Sequence, residues 1–174
     1  MRDLTACAGD FPDQPDWIWL RWFWGGSTLL SEDIGLDQLA EREGGRLACL
    51  ASPFADFPGG GDAAADCAAD WLRQLAGAGV QAIAPACVAA WAGFREAEPE
   101  PVARVAECVV VPPITGWETS TEVWRAVCLA LAAVKPVYLM AEGGQGGADP
   151  EPEVETDLPS RPGLARRRKR AARP

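Results

Sequence analysis

At 174 residues the chain is long enough for one domain with a genuine core and some additional sequence, and 48% of it is apolar. No window reaches the ~18 apolar residues of a membrane span, and the complete lack of histidine removes Ser-His and Cys-His nucleophile pairs and histidine-held metals. The net charge of −9 is unevenly spread: residues 161–174 hold seven of the 16 basic groups, which leaves the rest of the chain at −16, a balance that repels phosphate backbones.

The chain begins with a Trp-rich segment, residues 1–45. Within it "WIWLRWFW" is too short and too acidic in its approach for a secretory signal, so none is expected. Nearly every position there is apolar, which fits a strand or helix docked on a larger domain, a contact between copies, a partner-binding patch or a base-stacking surface. "GLDQLAEREGG" supplies a short helix near Leu36 to Glu43 with a Gly-Gly stop.

"RLACLA" (46–51) reads as a buried strand ending at Ser52-Pro53. The following segment places Ala64, Ala68, Trp71, Leu72 and Leu75 on one helical face, with Asp62 expected as its N-cap and Gly77 and Gly79 as its end. "VQAIAP" (80–85) is a second strand, "CVAAWAGFREA" a short weak helix, and "ECVVVPP" (107–113) a β-branched strand stopped by two prolines. A helix follows over about 120–134, with Val123, Val127, Leu131 and Val134 as its stripe; "KPVYLM" (135–140) is the last strand. Residues 142–174 are rich in Gly, Pro and acid and then basic, the composition of a disordered tail. The run Arg166 to Arg170 suits nucleic acid, anionic lipid or an acidic protein, or the acidic body itself.

Strands separated by helices imply parallel pairing and right-handed crossovers. The expected fold is therefore α/β, a three-layer, flavodoxin-like parallel sheet of four to five strands spanning 46–141. Such sheets bind ligands at the carboxyl ends of their strands. Three loops should gather there: "SPFADFPGGG", "PACVAAW" and "PPITGWETS". Ser52, Ser120 and Thr121 lie near helix starts, where they serve as caps or as contacts to a polar ligand. Gly59 to Gly61 lack the spacing of a phosphate-binding loop. The six cysteines contain no CxxC pair, so no metal or iron–sulfur site is expected; five of them sit in apolar segments and read as core residues of a reduced, cytoplasmic protein.

"LASPF", "VVVPPITGWETS" and "KPVYLM" together resemble a bacterial and phage family close to the nucleoside 2-deoxyribosyltransferases, over about residues 46–141. The resemblance implies a flavodoxin-like fold and, in the better-known relatives, cleavage of an N-glycosidic bond by a glutamate nucleophile. A carboxylate suits that reaction because it stabilises an oxocarbenium-like centre and then bonds to it. Carried onto this chain, Ser52, Pro53 and Phe54 match a loop lining the nucleoside pocket. Gly116, Trp117 and Ser120 match a second loop, and Pro113 stands between strand and loop. Glu107 replaces an aspartate, Glu122 replaces a glycine, and Ala126 stands where the family glutamate would be.

Alanine cannot attack a sugar. The resemblance therefore implies a degenerate nucleoside- or nucleotide-binding domain with no cofactor. One alternative is an active transferase or N-glycosidase using Glu122 or Glu118, although Glu122 lies ~6 Å along the helix axis from position 126. Both glutamates also suit a plain helix first turn, where carboxylates face the dipole. A further alternative is a non-catalytic interaction protein working through the Trp-rich segment. The expected partners are a nucleoside or nucleotide and another copy of the chain, with no membrane and with nucleic acid only at the basic tail.

Overall fold

The computed structural model describes residues 11–142. The tail and its basic run therefore lie outside the described residues. Five strands form one parallel sheet: β1 (Leu30–Ile34), β2 (Leu47–Leu50), β3 (Gln81–Ile83), β4 (Cys108–Val111) and β5 (Val137–Met140). Their spatial order is β1-β5-β4-β2-β3. The helices are α1 (Trp17–Trp24), α2 (Leu36–Glu43), α3 (Gly60–Gly77), α4 (Pro85–Ala92), α5 (Glu100–Val105) and α6 (Thr121–Ala132). The expected three-layer, flavodoxin-like α/β architecture is what the chain adopts.

Handedness explains which helix covers which face. The step from β2 to β3 runs toward one edge, and the step from β4 to β5 runs toward the other. Crossovers of one hand must then lie on opposite faces. Accordingly α2, α3 and α4 pack through Leu39, Ala64, Ala68, Leu75, Ala86 and Ala89 onto Ala48, Leu50, Cys108 and Val110. Helices α1, α5 and α6 pack on the other face, against Cys49, Val109, Val111, Val137 and Leu139. Strands β4 and β5 are buried at every position, which is why their sequences are continuous apolar runs rather than alternating ones.

The sheet does not begin at residue 46. The Trp-rich segment contributes strand β1, which pairs in parallel with β5 through Leu30↔Val137 and Ser31↔Tyr138. Its sequence, LSEDI, is buried only at its two ends, so it carries too weak a hydrophobic signal to read as a strand. Helix α5 likewise escapes the sequence reading, because its two turns open on Pro99-Glu100-Pro101. Helix α3 starts at Gly60 behind the left-handed Gly59, so Asp62 is a first-turn residue rather than the cap.

Among the described residues, buried polar side chains inside the layers are matched except for the Trp24 indole N–H and the Ser52 hydroxyl. Tyr138 on β5 donates its hydroxyl hydrogen bond to the buried Glu43 carboxylate of α2 at 2.6 Å, and Arg46 lies 3.3 Å from the same carboxylate. The Lys135 ammonium donates to the carbonyls of Ala103, Arg104 and Ala106 and so satisfies the open carbonyl end of α5.

Helix α1 is the main use of the tryptophans. Asp16 caps it by accepting from the Trp19 amide. Trp17, Leu20 and Trp24 turn inward. The Trp17 ring stands edge-on to Trp117 and Trp124, with centroids 4.7 and 5.3 Å apart. Its indole N–H donates to the Glu118 carbonyl at 2.6 Å, and the Trp124 N–H donates to the Pro12 carbonyl at 2.7 Å. The aromatic segment is thus part of the core, clamped onto the loop after β4.

Candidate functional site at the carboxyl edge of the sheet

In a parallel sheet the carboxyl ends of two strands whose crossovers diverge leave a crevice. Here those strands are β2 and β4, which are adjacent and whose following helices lie on opposite faces. The loop after β2 begins Ser52-Pro53-Phe54. The loop after β4 runs from Pro112 through a short 3-10 turn, Trp117–Thr119, to the start of α6. Gly116 precedes that turn with φ +84°, a conformation that side-chain-bearing residues rarely adopt.

The two loops converge. Pro53, Phe54, Asp56, Phe57 and Pro58 face Thr115, Gly116 and Thr119 to Thr121 across a cleft of about 230 Å³. Two further hollows continue along the edge. One of about 270 Å³ lies within the loop itself, between Pro113 and Thr119 and against Glu142. Another of about 370 Å³ reaches β1 and β5 and is lined by Arg21, Glu32, Asp33, Trp117, Glu118 and Glu142, among others. Neighbouring hollows share lining residues, so the three lie in a row, a segmented trough along this edge. The trough is acidic, with Asp56, Glu32, Asp33, Glu118 and Glu142 against Arg21, which itself pairs with Glu32 at 2.7 Å.

Glu122 lines none of the three hollows; it adjoins the cleft through Phe54 and Ser120 and is already engaged. Its carboxylate accepts from the Phe54 amide at 2.9 Å, from the Ala55 amide at 3.2 and 3.3 Å, and from the Ala97 amide at 3.2 Å. The Ser120 hydroxyl lies 3.5 Å away and also accepts from the Val123 amide, making it the cap of α6. One carboxylate therefore ties α6 to the loop after β2 and to the segment before α5. Attack on a sugar carbon by this alternative nucleophile would need a free oxygen, but both of its oxygens are held by backbone donors.

The remaining sequence candidates divide. Pro53, Phe54, Gly116 and Ser120 line the cleft, whereas Pro113, Trp117 and Glu118 line the adjoining hollows. The Glu118 side chain is exposed, and its carbonyl holds Trp17. Ser52 is buried, with its hydroxyl lacking a protein partner, and it lines none of these three hollows. Ala126 is fully buried between α6 and the sheet, away from the trough lining, so its identity reports helix–sheet packing. Glu107 is exposed at the opposite, amino end of β4, 3.5 Å from Arg46. Sequence reasoning missed Asp56, Thr115, Thr119 and the β1 contribution of Glu32 and Asp33. Asp33 has a signal only in the coordinates, a φ of +54°.

Fold and site define a three-layer parallel α/β protein with a polar trough at the topological switch point. No family model, curated protein or solved structure matches the chain.

Proposed function

We propose that the chain binds a nucleoside-like small molecule in the trough at the carboxyl edge of the sheet and does not cleave it by carboxylate attack. The observation that carries this reading is the capture of Glu122 by three backbone amides, beside a cleft built from the two loops that resemble a nucleoside pocket. Thr115, Thr119 and Asp56 offer the hydroxyl and carboxylate partners that a sugar or base edge needs. The acidic lining favours an uncharged nucleoside over its monophosphate, because a phosphate would approach several carboxylates and one cation that is already paired.

Titration calorimetry with a panel of deoxynucleosides and their monophosphates tests this. Nucleoside binding that weakens several-fold in Asp56→Asn, and monophosphate binding weaker than nucleoside binding, are the expected results. No heat across the panel would overturn the binding reading. Free-base release from a deoxynucleoside that disappears in Glu122→Gln would overturn the non-catalytic one.

A further inference from the structure

We propose that the uncharged face of α4, beside the free edge of β3, is the contact between two copies of this chain. Among the described residues, strand β3 pairs with β2 alone and ends the sheet. It thus presents unpaired backbone groups to any strand that can lie beside it. Ile83 on this strand is exposed, on the face of the sheet opposite α4. Helix α4 buries Pro85, Ala86 and Ala89 and turns Val88 and Trp91 outward, followed by Phe94 just past its end. Trp91 is 91% exposed and Phe94 62%, the two most exposed aromatic rings bar Trp22 among the described residues.

Charge identifies the occupant. Residues 80–94 contain no Asp, Glu, Lys or Arg, in a chain whose net charge is −9. Two acidic molecules repel wherever their carboxylates meet. An uncharged, apolar face is where a second copy can approach at least cost. Geometry agrees with a two-fold arrangement. A two-fold axis perpendicular to the sheet would set β3 antiparallel to its counterpart and keep both α4 helices on the same face. Large aromatics bury ~150–250 Å² each, so Trp91, Phe94 and Val88 account for roughly half of the ~800 Å² per partner of a standard interface. The remainder falls to the strand edge and its rim, which suits a reversible dimer.

Sedimentation velocity of the full chain between about 1 and 100 µM tests the proposal, the range over which a reversible dimer dissociates. The dimer fraction should rise with concentration and also with added NaCl, which screens the repulsion between acidic bodies. Trp91→Asp should weaken dimerisation at least ~10-fold, with unchanged circular dichroism because the residue is already in water. Val105→Asp, another solvent-facing apolar site, on the α5 side of the sheet, should leave it intact. A monomer at the highest concentration would overturn the proposal, as would a dimer indifferent to Trp91→Asp or one abolished by Val105→Asp.

Discussion

Glu122 shows how one side chain decides what a site can do. A carboxylate with free lone pairs next to a sugar-sized cleft would be a nucleophile or base. The same carboxylate accepting from Phe54, Ala55 and Ala97 is a clamp. Charge-assisted hydrogen bonds of this kind contribute about 1.5–3 kcal/mol each, less where water reaches the group, as it does at this half-buried residue. Glu122→Ala would leave three amides without their acceptor. We expect it to lower the unfolding free energy by about 2–3 kcal/mol in urea titration, with the loop after β2 gaining hydrogen-exchange rate before the sheet does. The sequence showed a glutamate in the first turn of a helix. That its partners lie 25 to 68 residues away could be seen only once β2, β4 and α5 were assembled.

At the scale of elements, the helices end where backbone conformation allows. Helix α6 closes with the Lys135 amide donating to the Ala130 carbonyl and the Val134 amide donating to the Leu131 carbonyl. The turn requires Val134 at φ +58°, a region where a β-branched residue is strained by about 1–2 kcal/mol. Valine there completes the i, i+4, i+8, i+11 stripe in the sequence, yet its side chain is 58% exposed. We expect Val134→Gly to raise the thermal midpoint, with a gain of about 0.5–1 kcal/mol after the extra unfolded-chain entropy of glycine is subtracted. Differential scanning calorimetry would read it; a lower midpoint would show that the valine packs usefully. Helix α1 teaches the reverse lesson. Its aromatic richness suggested docking as well as partner capture, and burial of Trp17 and Trp24 puts it in the core.

Across the whole molecule the acidic surface encloses a core that holds its thiols neutral. Burial pushes Cys49, Cys108 and Cys128 from an ordinary value of 9.0 up to about 12, with Glu43 and Glu107 adding to the effect at Cys108 and Lys135 opposing it at Cys49. Tyr138 is raised as well, first by burial and then by its hydrogen bond to Glu43. Between about pH 9 and 12 the unfolded chain loses these thiol protons and the folded chain keeps them, so stability is full below pH 9 and falls as pH rises through that window. Urea midpoints measured at pH 8 and pH 10.5 should therefore decline, and Cys128→Ala should flatten the decline. A midpoint unchanged across that interval would mean that the thiols reach water in the folded state.

Hydrophobic patterning was enough to place β2, β4, β5, α3 and α6, because strands buried on both faces and helices striped at 3.6-residue spacing leave a record in the local sequence. Parallel pairing followed from their alternation. The edge strand β1 left no such record, since one neighbour and a polar middle demand little of LSEDI beyond its two buried ends. The gathering of the Pro53 and Gly116 loops at one edge was foreseeable from the alternation of strands and helices, which puts every strand's carboxyl end on the same side. The engagement of Glu122, the burial of Ala126 and the exposure of Trp91 were not. They depend on the direction each side chain takes once distant segments share a surface, and no local spacing encodes that direction.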